Sequence, residues 1–308
     1  DQLLRDALSL RRYKLGDKPH PDISENLTNL GLILEAIGRY EESEALYMEV
    51  LAMDRLLYGD MHPHIAMDLN NLALIYGDKG EFAKAEAMYR EALLIQRETL
   101  GESHPAIALT WNNLAYTYYY AGDMQSALEA VQRSIGILQE VHGETHPNIA
   151  RALRTLGRWQ AEEGETAAAE VNLRLALGQE EKLLKPDSVQ TALTRMSLAD
   201  LLTREGRSEQ ALPLAMAARE AMERILGDGH RYTEVARNVQ GAALGELGRD
   251  TEAELMLLQS YQSLASDEGA AAVTVEQALK RVIRFYQKRD NSTKAEEYLA
   301  IHERDFGA

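Results

Sequence analysis

The chain has 308 residues, a formal charge of −16 and no cysteine. The missing thiols exclude disulfides, zinc–thiolate sites and cysteine nucleophiles, and the acidic field disfavours general binding to nucleic acid or anionic membrane surfaces. An apolar fraction of 45% beside 27% charged residues is that of a folded, water-soluble chain, but the length exceeds one compact core unless internal repeats carry it.

Residues 1–15 (DQLLRDALSLRRYKL) read as the second helix of a preceding repeat. The chain is therefore expected to open inside an array, with an upstream domain as a possible covalent partner. From residue 16 onward the sequence falls on a 42-residue grid. Glycine recurs at Gly38, Gly80, Gly122, Gly164, Gly206 and Gly248, with Asp290 at the seventh step. At a background near 7% glycine, six hits in seven have a chance on the order of 10⁻⁶. A second column holds His20, His62, His104 and His146, each followed by proline, then Ser188 and His230. A third is small throughout: Ser43, Ala85, Ala127, Ala169, Ala211, Ala253 and Ala295. The repeats lie near 16–58, 59–100, 101–142, 143–184, 185–226, 227–268 and 269–308, which reads as a single all-α solenoid of about seven helix-turn-helix units.

Each unit predicts two helices. The first carries an apolar stripe at helical spacing, such as Ile65, Leu69, Leu72, Ala73 and Tyr76. Proline at its first position sacrifices no hydrogen bond, and the glycine column suits the left-handed turn that ends many helices. The second helix repeats the stripe, as in Phe82, Ala85, Tyr89, Ala92 and Leu93, and its alanine column suits a close helix crossing. Neither helix buries its stripe alone, whereas stacked pairs do. Later units drift. The link Leu184-Lys-Pro-Asp-Ser188 has lost its histidine, leaving Ser188 or Asp187 to cap the next helix. Pro213 falls inside a second helix, where it is expected to remove a bond and bend the axis. Gln240 takes a leucine column, and Lys294, Glu296, Glu297, Glu303 and Arg304 give the last pair the polar finish of an end cap.

The segment Trp111-x₂-Leu114-Ala115-x₂-Tyr118, followed by Ala127, matches the tetratricopeptide pattern, with alanine for its glycine. With links and cores such as LGESHPAIALTWNNLA and YGDMHPHIAMDLNNLA, and a period of 42, the chain resembles the tetratricopeptide repeats of kinesin light chain and its relatives. The resemblance covers essentially the whole length. It implies a right-handed superhelix whose first helices line a concave, peptide-binding face. It also implies kinship with bacterial arrays that follow a Ser/Thr kinase or other signalling domain, and with motor-cargo adaptors.

Catalytic signatures are lacking: the chain has no HExxH, GxSxG, phosphate loop or GxGxxG. The histidine column is read as structural, because equivalent positions in stacked helix pairs stand about 10 Å apart whereas metal–nitrogen bonds are about 2 Å. Neither metal nor cofactor is expected, nor an enzyme. Absent cysteine fits a reducing, cytoplasmic setting.

The columns opposite the apolar stripe nominate the ligand face. They hold Thr28 and Asn29, then Asn70 and Asn71, then Asn112, Asn113, Tyr116 and Tyr120, then Arg151, Arg154 and Arg158, with Asn238 later. Amides spaced one per repeat suit the alternating donors and acceptors of an extended peptide. The run Tyr118-Tyr119-Tyr120 forces at least one ring outward, and Tyr116 and Tyr120 share a face. The three arginines at i, i+3 and i+7 suggest an anion site. The expectation is a non-catalytic scaffold that binds an extended acidic or carboxylate-ended segment of a protein partner, with no nucleic-acid or membrane partner. Reversing the three arginines to glutamate is expected to abolish capture and leave melting unchanged.

Overall fold

The computed structural model describes residues 2–16, 18–185 and 187–307; Asp1 and Pro186, which the sequence reading named, lie outside them. Among the described residues there are fifteen helices and no strand. Helix α1 spans Gln2–Leu15. The pairs that follow are α2 (Pro21–Ala36) with α3 (Tyr40–Tyr58), α4 (Pro63–Asp78) with α5 (Phe82–Leu100), and α6 (Pro105–Tyr120) with α7 (Met124–His142). Next come α8 (Pro147–Glu162) with α9 (Thr166–Leu183), α10 (Val189–Arg204) with α11 (Ser208–Leu226), α12 (Arg231–Glu246) with α13 (Asp250–Ser266), and α14 (Ala272–Gln287) with α15 (Ser292–Phe306). None of these helices is long and apolar enough to cross a membrane.

The links explain why the helices start and stop where they do. His20, His62, His104, His146 and His230 each accept with Nδ1 from the backbone N–H two residues on, at 3.1–3.2 Å. That bond satisfies one of the orphan donors of a helix start. It also places the ring proton on Nε2, so the column serves as helix caps. Ser188 does the same work by accepting from Thr191 N at 3.1 Å. At the turn inside each pair, the six glycines of the column have φ between 74° and 81°, and Asp290 at the seventh step has φ 53°. Helix α11 runs on through Pro213.

The chain divides into two compact units, Asp1–Ala152 and Leu153–Ala308, with the boundary inside α8. In the first, consecutive helices from α1 to α7 pack on one another and α4 also touches α6. Its core gathers Tyr47, Leu69, Leu72, Tyr89, Leu93 and Leu114. In the second, α9 to α15 pack consecutively, with α12 touching both α10 and α14. Leu173, Leu198 and Leu202 form one of its clusters, and Leu257, Val282 and Phe285 another. Every member of the small column is at most 4% exposed, as close helix crossings demand. Gln240, the polar residue in a leucine column, is kept inside by accepting from Arg219 Nε at 2.8 Å. Each fully buried Leu contributes roughly 1.5–3 kcal/mol.

Candidate functional site

The tyrosine run on α6 sorts itself by what lies beneath it. Tyr118 is held inward: its hydroxyl donates to Glu86 Oε1 at 2.8 Å and accepts from Arg90 Nη2 at 3.0 Å. Burial, then the Glu86 bond, push that phenol above its ordinary range. Tyr119 is half-buried and sets its ring edge-on to Tyr120 at 5.4 Å. Tyr120 is the ring that meets solvent, 64% exposed, and it stacks on Tyr116 at 6.5 Å one turn earlier. Asn112 and Asn113 stand half-buried one turn before Tyr116. Together they form a continuous amide-and-aromatic face on one helix.

One repeat earlier, Asn70 and Asn71 are half-buried on α4. Asn70 turns its Nδ2 back to Ala66 O at 2.7 Å, while its Oδ1 is buried without a partner. Asn238, in the second unit, is fully buried: it donates to Ser260 Oγ at 2.9 Å and accepts from Arg281 Nη1 at 3.2 Å. The asparagine ladder is thus not uniform, and its last member is a packing residue.

The arginine stripe of α8 divides. Arg151 and Arg158 are exposed. Arg154 is 9% exposed and points into the second unit. Its Nη1 donates to Glu180 Oε1 at 2.9 Å, Gln190 O at 3.2 Å and Thr194 Oγ1 at 3.3 Å, and its Nη2 donates to Gln190 Oε1 at 2.9 Å. Glu180 is 2% exposed; burial pushes its carboxyl up, against the pull of Thr194 and Arg154. A buried acid in a core column draws the arginine inward, and helical spacing within α8 carries no sign of it.

A second polar centre leaves a single trace in the sequence. In the first unit, Asp54 of α3 and Asp68 of α4 are 3% and 1% exposed, and no group outside the pair donates to Asp54 Oδ1 or to either oxygen of Asp68. Burial, then the charge of Asp54 and a side-chain hydrogen bond with it, push the Asp68 carboxyl up to about 8. Both acids line a cavity of about 400 Å³ whose wall includes Thr28, Tyr58, His64 and Met67. His64 Nδ1 stands 3.8 Å from Asp54 Oδ2. The signal in the sequence was an acid inside an apolar stripe: Asp68 sits between Ile65 and Leu69. Among the described residues, no group of three or more His, Asp or Glu is arranged to hold a metal.

The family model for the tetratricopeptide repeat matches residues 22–98, 65–140, 106–179 and 188–266. Comparison with curated proteins yields no significant match. Among solved structures, the nearly identical repeats of a putative kinesin light chain from Podosopora anserina are 21% identical; the match covers 68% of this chain and 99% of that one, with a TM-score of 0.56. The apo form of RapI is 17% identical over 92% of this chain and 97% of its own, with a TM-score of 0.75. A Rap protein in complex with Competence and Sporulation Factor is 14% identical over 98% and 83%, with a TM-score of 0.65. At these identities the likeness is one of fold.

Proposed function

The chain belongs to the tetratricopeptide repeat family, and we propose that it is a non-catalytic scaffold that binds an extended acidic or carboxylate-ended segment of a protein partner. The observation that carries this reading is the Tyr116–Tyr120 stack on α6, with Tyr120 64% exposed although the repeat requires no aromatic there. Exposed aromatic pairs flanked by amides supply what extended peptides need, a surface to bury against and donors and acceptors for the backbone. A Rap protein of the same fold has been solved with Competence and Sporulation Factor, which agrees with a scaffold role.

The magnitudes assign the work. Micromolar binding needs about 8 kcal/mol, and exposed ion pairs contribute about 0–1 kcal/mol each. The tyrosines therefore carry affinity, and Arg151 orients and selects. Arg154 has no part in this reading, because its guanidinium is committed to Glu180. A peptide array scored for acidic and carboxylate-ended hits, repeated with Tyr120→Ala, tests the proposal. Loss of the acidic hits with unchanged melting supports it; an array pattern indifferent to Tyr120→Ala, or free of acidic hits, overturns it.

A further inference from the structure

Three repeats of 42 residues separate Thr28 from Arg154, Asp54 from Glu180, His64 from Gln190 and Asp68 from Thr194. The same four columns therefore meet in each unit, and the two meetings end differently. In the second unit, the column of Thr28 supplies a guanidinium, and Arg154 reaches the other three residues with four hydrogen bonds. In the first, the column supplies a threonine whose hydroxyl turns back to Ser24 O at 3.0 Å. What remains is the cavity of about 400 Å³, lined by Thr28, Asp54, His64 and Asp68, with three buried carboxyl oxygens that no group outside the acid pair serves.

We propose that this cavity receives the guanidinium of an arginine side chain presented by a partner protein, in the manner in which Arg154 fills the equivalent place in the second unit. A guanidinium brings five donors in a fixed fork and no acceptor. Once Asp68 gives up its proton, that matches two buried carboxylates with three oxygens that no group outside the pair serves. Met67 and Tyr58 in the wall suit the apolar stem and the flat face of the group. An ammonium is a point charge and satisfies fewer of these oxygens at once. This site is separate from the Tyr116–Tyr120 face, and its standing does not depend on that reading.

Proton linkage gives the site a signature. Unfilled, Asp68 keeps its proton near neutrality, because burial and Asp54 raise it to about 8. Seating a cation between the two acids favours ionisation and releases that proton. The groups facing the pair are Asp22 and Glu25 on α2, Tyr58 on α3 and His64 on α4. Arg11 of α1 already engages Asp22 O and stands 3.9 Å from Glu25.

The test is calorimetry on the whole chain with acetyl-Gly-Arg-Gly-amide at constant ionic strength, beside its lysine and citrulline counterparts and ethylguanidinium. The expected result is saturable binding of the arginine peptide, at least tenfold weaker binding of lysine, and none of citrulline. Near pH 7 the heat should vary with the ionisation enthalpy of the buffer, as proton release requires. Thr28→Arg, which fills the cavity from within, should abolish binding and melt no lower than the parent; Asp68→Asn should abolish the proton release. Tyr120→Ala should leave this binding intact. Absence of saturable binding, or binding untouched by both Thr28→Arg and Asp68→Asn, overturns the proposal. Ethylguanidinium binding as tightly as the peptide overturns the assignment to a protein side chain.

Discussion

Arg154 donates to Glu180 at 2.9 Å with both side chains nearly sealed from water, 10% and 2% exposed. Removing one partner of such a pair leaves an uncompensated buried charge, which costs roughly 3–5 kcal/mol. Glu180 Oε2 already lacks a partner. Arg154→Ala should therefore lower stability by about that amount in denaturant titration, while Arg154→Met combined with Glu180→Leu should recover most of it. Arg154→Glu belongs with the first, so reversing all three arginines should lower the melting point, where the sequence alone led to the expectation of no change.

Arg151 makes the cleaner probe of ligand charge. Arg151→Glu should shift stability by no more than about 0.5 kcal/mol. It should weaken capture of an acidic segment by about tenfold, read by fluorescence anisotropy at low salt. If capture holds while Tyr120→Ala abolishes it, the segment is extended but not acidic.

Asp68 sets a pH dependence of definite sign. Its carboxyl is raised to about 8 in the folded chain, against about 3.9 when unfolded. Below about pH 4 both states are protonated and the group contributes nothing. Between about 4 and about 8 the unfolded chain ionises while the folded one keeps its proton, so stability falls as pH rises, by up to about 1.4 kcal/mol per pH unit. Asp68→Asn should remove this slope. Melting of variant and parent should diverge from about pH 5 to about pH 8, with the variant more stable at the upper end.

The histidine caps are testable one at a time. His104→Ala deletes the bond to Ala106 N and should cost about 1 kcal/mol, whereas His104→Asn should keep most of it. At the α8 cap, burial and then the neighbouring His142 hold the His146 imidazole below its usual range. Its contribution is full above the unfolded imidazole value and is lost as pH falls through that range. His146→Asn should blunt that acid loss, measured by denaturation on either side of about pH 6.5.

Two helical glycines should respond oppositely to alanine. At Gly157 an added Cβ lies 2.8 Å from Leu173 Cγ and 3.0 Å from Ala169 O, whereas at Gly136 nothing stands within 4 Å. Gly157→Ala should cost about 1–3 kcal/mol through overpacking, and Gly136→Ala should stabilise by about 0.5–1 kcal/mol. Equilibrium denaturation of the two variants checks both signs.

Where the links begin and end was legible before any coordinates, because the causes are local. A histidine or serine that caps its own helix, a proline at the first position, and a glycine at positive φ act over a few residues, and the 42-residue period repeats them often enough to be counted. The outward ring of the tyrosine run was also legible as a necessity, since one helix cannot turn three successive residues inward. That Tyr120 is the outward one, and that Tyr118 is tied to Glu86 and Arg90, depends on the preceding helix pair.

By itself the sequence determined the all-α repeat, its period, the caps and the small column of each crossing, all consequences of spacing along one helix or one link. Only the tertiary structure decided where the charged residues went. Arg154 has the same helical spacing as Arg151 and Arg158, yet it turns inward because Glu180 and Gln190, on two other helices, meet its column from below. Asp54 and Asp68 face each other for the same reason: a residue late in one pair abuts one early in the next. Which columns touch is a property of how neighbouring helices cross, and the energy of a buried charge depends on what stands opposite it.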